Sequence, residues 1–115
     1  VIWLWNGLRT QPSPDDGRKI AESFLQNVRD GRAGNAWDAT TAEFKSALGR
    51  ELFVKEAKGM PWLTKPVEFV STNTVTVQDQ PRSEYLFRSP EGKEVRLVLG
   101  NEAGAWKVDR WMAAK

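Results

Sequence analysis

Apolar positions along this chain change their period once, near Val67. Before it they recur three and four residues apart, as on one side of a helix; after it they alternate, as on a strand. The first helix is predicted from Pro14 to about Asp30, with Ile20, Phe24 and Val28 four apart and Ala21 and Leu25 beside them. Ser13 is placed to cap it, Pro14 suits the first helical position, and Asp15 and Asp16 suit the positive end of the helix dipole. Gly31 fits the position after the last turn. Ala36, Trp37, Thr40, Phe44 and Leu48 continue the helical spacing across Ala33–Leu48, with a break expected near Thr40–Thr41, where β-branched hydroxyl residues favour a cap. A third helix is predicted over Glu51–Lys58, with Leu52, Phe53 and Ala57 inward. Gly59-Met60-Pro61 stops it, and Trp62-Leu63 lies in a loop closed by Pro66.

The alternating half contains four predicted strands. The first starts at Val67–Val70 and resumes over Asn73–Gln78 after a bulge at Ser71-Thr72-Asn73, with a turn at Asp79-Gln80-Pro81. The second is Ser83–Arg88, with Tyr85 and Phe87 on one face. Ser89-Pro90-Glu91-Gly92 is a tight-turn sequence. The last two strands form a hairpin across Lys93–Met112, in which Val95, Leu97 and Leu99 share a face, as do Trp106 and Val108. Asn101-Glu102-Ala103-Gly104 connects them. The order predicts an α+β domain, three N-terminal helices packed on one face of a four-stranded antiparallel sheet. The other face is expected to carry Val70, Leu86, Val98 and Trp111. An apolar set there predicts burial against a partner, a homodimer through the sheet face, unless the Trp3/Trp5 arm folds back over it.

Residues 1–13 read as an arm and linker, and 14–115 as one domain. Val1-Ile2-Trp3-Leu4-Trp5 is too short to span a bilayer, and it has two readings. It is the remnant of a membrane anchor or signal segment, since Trp favours the membrane–water boundary, or it is an arm that packs on the domain or a partner. The chain has no Cys and no His, which removes disulfides, thiolate nucleophiles, an imidazole base and the usual zinc ligands. The pI near 9.1 accompanies a net charge of only +2. Residues 67–115 carry seven basic and seven acidic side chains, so no basic stripe for nucleic acid is expected. No Gly-rich phosphate loop occurs. Asp15-Asp16 complements a helix dipole rather than a metal, and Arg50-Glu51 and Lys55–Lys58 read as a solvated helix face.

Residues 21–48, from Ala-Glu-Ser-Phe-Leu-Gln-Asn-Val-Arg-Asp-Gly through Ala-Trp-Asp-Ala-Thr-Thr-Ala-Glu-Phe-Lys-Ser-Ala-Leu, resemble the opening of the nuclear-transport-factor-2-like superfamily. Gly104-Ala105-Trp106-Lys107-Val108-Asp109 resembles its last strand. That group includes ketosteroid-isomerase-like and many bacterial extracytoplasmic domains. The resemblance implies a curved sheet wrapped around a long helix, a cone with a cavity at its open end. Trp37, Phe44, Phe53, Trp62, Tyr85 and Trp106 are then the candidates to line it, and plain core packing is the alternative for each. Enzymes of the group place a carboxylate or His base and a Tyr or protonated Asp donor in the cone. Here the single Tyr is Tyr85, and the carboxylates within reach are Asp38, Glu43 and Asp109, of which Asp38 is expected to face water. The isomerase residues do not match position by position. The expected function is therefore a non-catalytic ligand-binding or protein-interaction domain of a membrane-anchored or exported bacterial protein. It would need no metal or cofactor, would take a small apolar ligand, and would meet a membrane only through a preceding segment. The alternatives are a small-molecule isomerase or hydrolase working by carboxylate acid–base chemistry, and a structural dimerisation module.

Overall fold

The computed structural model describes residues 14–115; the Trp3/Trp5 arm and the Ser13 cap lie outside them. Among the described residues four helices precede the sheet: α1 (Pro14–Arg29), α2 (Ala33–Asp38), α3 (Ala42–Ala47) and α4 (Arg50–Lys58), followed by one 3-10 turn at Pro61–Thr64. α1 ends where Gly31 takes φ 79°. The Gly31 N–H then donates to the Val28 carbonyl and the Arg32 N–H to the Asn27 carbonyl, which satisfies two of the last free carbonyls. The predicted break falls where expected. Thr40 and Thr41 separate α2 from α3, and the Thr41 hydroxyl accepts the Phe44 N–H at 3.1 Å as the N-cap of α3.

α1 buries Ala21, Phe24, Leu25 and Val28, but Ile20, expected on that face, is 37% exposed. At about 100° per residue the buried set centres on Ala21 and Val28, and Ile20 lies about 90° away. Leu52, expected inward, is likewise 62% exposed, because the face of α4 that meets the core is set by Phe53 and Ala57.

The sheet is open and antiparallel, β1 (Glu68–Val77), β2 (Gln80–Arg88), β3 (Glu94–Glu102) and β4 (Ala105–Ala113), in sequence order across it. Its first turn is one step earlier than predicted. Gln78 and Asp79 adopt φ of 51° and 64°, a two-residue turn with Val77 opposite Gln80, so Pro81 belongs to β2 and not to the turn. The β1 bulge sits between Phe69 and Ser71 rather than over Ser71-Thr72-Asn73. At the second turn the Gly92 N–H donates to the Ser89 carbonyl with Gly92 at φ 92°. Ala103 and Gly104, both at positive φ, close the third.

Tyr85, Phe87, Val95, Leu97, Leu99 and Val108 point to the helix side and are buried. The rings of Phe24, Phe44 and Phe53 meet them from the helices: Phe24–Phe53 and Phe44–Phe53 centroids are 5.7 Å apart. Trp111, expected on the outer face, completes this cluster with its centroid 4.8 Å from that of Phe53. A second bulge causes the reversal. Val98 faces Arg110 and Leu99 faces Val108, so Asp109 is an extra residue in β4, and every side chain after it changes side.

The outer face that remains is mixed. Leu86 is half-buried there, Val70 at the β1 bulge is exposed, and Val98 is buried between Glu84 and Arg110 on the neighbouring strands. Arg88–Glu94 and Arg96–Glu84 form cross-strand ion pairs over the rest.

Candidate functional site

The Asp109 bulge brings a buried carboxylate to the start of α3. Its side chain is 3% exposed, and both oxygens are engaged. Oδ1 accepts the Thr41 hydroxyl at 2.7 Å, and Oδ2 lies 3.4 Å from Arg82 Nε. The backbone joins too: the Thr41 N–H donates to the Val108 carbonyl at 3.0 Å, and Thr40 forms a parallel bridge with Val108. Arg82 crosses from β2 over Gly100 of β3. A methyl group at Gly100 would stand 3.0 Å from Arg82 Nε, so a glycine there keeps the crossing open. Helix break, bulge and guanidinium thus form one clasp holding α3 to β4.

A second contact anchors the same helix start. Glu102 Oε2 accepts the Ala42 N–H at 2.9 Å, and Oε1 accepts Lys107 Nζ at 3.0 Å. The Ala42 hydrogen bond above all, then Lys107, holds the Glu102 carboxyl below the ordinary carboxylate range. A carboxyl lowered by folding stabilises the fold while ionised, and that contribution fades as pH falls through its lowered pKa. Glu102→Gln is therefore expected to lower the urea midpoint at pH 7, with the gap from the parent closing once pH drops below the usual carboxylate range. A gap independent of pH would contradict the assignment.

Beside the clasp runs a groove of about 420 Å³ between α3 and β4, lined by Phe44, Ala47, Leu48, Trp111 and Met112, with Glu43, Asp109 and Arg110 on its walls. Leu48 also lines a neighbouring groove of about 500 Å³ with Leu52, Met60, Lys55 and Lys115. Leu52 and the 50% exposed Met112 are thus apolar side chains standing at groove edges.

The predicted lining residues divide between core and rim. Phe44, Phe53, Trp62 and Tyr85 are buried in the core cluster, and Trp37 and Trp106 are half-buried against it. Phe44 alone among them reaches the α3–β4 groove. Trp62 Nε1 donates to the Ala114 carbonyl and Trp37 Nε1 to the Leu48 carbonyl, so both indoles tie chain segments together. Of the candidate carboxylates, Asp38 is exposed and pairs with Arg50 at 3.2 Å, Glu43 edges the groove, and Asp109 is buried. The role of Arg82 and the pairing of Thr41 with Asp109 had no place in the sequence reading. A signal existed: apolar residues at Trp106, Val108, Trp111 and Ala113 are spaced two, three and two, and the three marks the bulge.

Chemically, the clasp is a saturated ion pair. The Asp109 carboxylate is already hydrogen-bonded by the Thr41 hydroxyl and paired with Arg82, contacts that tie it to holding α3 against β4. Among the described residues no buried side-chain nitrogen or oxygen lacks a partner, and no three His, Cys, Asp or Glu gather as a metal site. No described helix is long and apolar enough to cross a membrane. The fold and this site define an α+β domain with helices on one face of an open antiparallel sheet and shallow apolar grooves at one end. No protein-family model and no curated protein matches the chain.

Proposed function

We infer that this is a non-catalytic binding domain that takes an apolar ligand, or an apolar segment of another protein, in the grooves that meet at Leu48. The observation that carries this reading is the contrast between interior and rim. The interior between helices and sheet is filled by Phe24, Phe44, Phe53, Tyr85 and Trp111, while Leu48, Leu52 and Met112 line open grooves of ligand size. Lys55, Lys115, Glu43 and Arg110 around them supply the polar rim expected of a recognition surface. The nuclear-transport-factor-2-like assignment and an extracytoplasmic, membrane-tethered setting belong to the same proposal. The first rests on the resemblance in residues 21–48 and 104–109, the second on the Trp-rich start of the chain.

The carboxylate-enzyme alternative would rest on Asp109, which reaches the α3–β4 groove; its contacts with Thr41 and Arg82 support a structural role for it instead.

Titration with 1-naphthol, followed by amide shifts in ¹H–¹⁵N spectra, tests the binding reading. Saturable shifts are expected at Leu48, Leu52 and Met112, with Phe53, Tyr85 and Leu97 unmoved, and Leu52→Asp should weaken binding at least about tenfold. Shifts centred on the interior residues, or no saturation at all, would overturn it.

A further inference from the structure

We propose that β1 is a self-pairing edge, through which two copies of this chain join their sheets into one continuous antiparallel sheet. The two edges of the sheet are treated differently. β4 is guarded by the Asp109 bulge, the Thr40 bridge, and the charges of Lys107 and Arg110. β1 pairs only with β2 among the described strands, and Phe69–Gln78 holds no charged residue and no Pro. From Ser71 to Val77 its register with β2 is unbroken. A long, uncharged, regular edge is a template for another strand.

The first hairpin tells which backbone groups are open. In a two-residue turn the flanking pair, here Val77 and Gln80, is hydrogen-bonded, and the pattern alternates from there. Val77, Val75 and Asn73 therefore direct their N–H and C=O groups to β2, and Thr76, Thr74 and Thr72 direct theirs outward. The three open positions are all threonine, all exposed, and evenly spaced about Thr74.

That spacing is self-complementary and points to a second copy rather than an unrelated strand. With a two-fold axis at Thr74, Thr74 faces Thr74 and Thr72 faces Thr76 of the second copy. Every open group then finds a partner, and threonines oppose threonines, a favourable cross-strand pair. No like charges meet along the seam. At each end the Gln78-Asp79 turn of one copy comes alongside Phe69 of the other, over which Arg18 lies 4.0 Å from the ring centroid. Arg18 is already paired with Glu22 at 3.5 Å, and Asp79 has no ion pair among the described residues, so no like charges meet at the seam's ends. The surface is separate from the Leu48 grooves, and this proposal does not depend on them.

Sedimentation equilibrium of the full 115-residue chain, to hundreds of micromolar, is the test. The parent is expected to be a dimer. Thr74→Pro removes an outward N–H without touching the β1–β2 ladder, and Thr74→Lys sets two ammonium groups against each other on the axis. Each should raise the dimer Kd at least about tenfold while the circular dichroism spectrum, and the Tm measured at a dilution where the parent too is monomeric, stay at the parent's values. If the proline variant unfolds, the lysine variant decides. Leu86→Lys, on the outer face, should leave the dimer intact. A monomeric parent, a dimer that survives Thr74→Lys, or one dissociated by Leu86→Lys would overturn the proposal.

Discussion

Replacing Asp109 by alanine should cost about 3–5 kcal/mol of folding stability, the usual penalty for removing one member of a buried ion pair. The loss has three sources on this structure. Arg82, 13% exposed at its side chain, is left without its counter-charge. The Thr41 hydroxyl loses its acceptor, and the bulge in β4 loses the side chain that gives it a destination. A domain of this size has about 5–15 kcal/mol in total, so the variant should be close to its unfolding threshold. Urea denaturation at pH 7 measures it, with m close to the parent's if the folded state is otherwise retained. Adding Arg82→Met should recover much of the loss, because the main penalty is an orphaned buried charge and not a missing contact. A loss below about 1 kcal/mol would mean the pair is effectively solvated, as at a surface.

Gly17→Ala should destabilise the domain by about 1 kcal/mol net, overpacking of about 1–3 less a propensity gain of about 1, even though it lies inside α1. Helix propensity alone predicts a gain of about 1 kcal/mol for this change in a helix interior. Gly17 is buried, however, and an added methyl would run into Tyr85 Oη. Tyr85 cannot step aside: it sits on a strand paired on both sides, is 1% exposed, and packs against the Phe69 ring at 6.5 Å. Overpacking of a rigid core of this kind costs about 1–3 kcal/mol, which exceeds the propensity gain. Gly34→Ala in α2 is the control. Its added methyl meets only the guanidinium end of Arg50, an exposed chain that can swing into water. That variant should match the parent or exceed it. Thermal unfolding of both, with Gly17→Ala melting higher than the parent as the contrary result, separates packing from propensity.

Much of the architecture was legible before any coordinates. The limits of α1, the Gly31 stop, the break at Thr40–Thr41 and the alternation of Val95, Leu97 and Leu99 are local matters of period, capping and turn chemistry. The errors share a cause. Ile20 and Leu52 are apolar residues at the margin of an amphipathic helix, and which way a margin falls depends on how the helix is rolled against its neighbours. Trp111 departs from strict alternation because the bulge at Asp109 inserts one residue before it. Residue type marks the six candidate rings alike, and only packing distinguishes a ring that fills a core from one that lines a groove.

The amino-acid order by itself determined that helices come first, that four antiparallel strands follow, and where most of them begin and end. Those features depend on interactions between near neighbours, which repeat with a period that can be read. Tertiary structure decided the rest: the inward turn of Trp111, the clasp joining Thr41 to Asp109 across 68 residues, and the place of β1 at the end of the described sheet. Each is set by which distant segment lies alongside, and the free energy of such a meeting leaves no periodic trace in either segment.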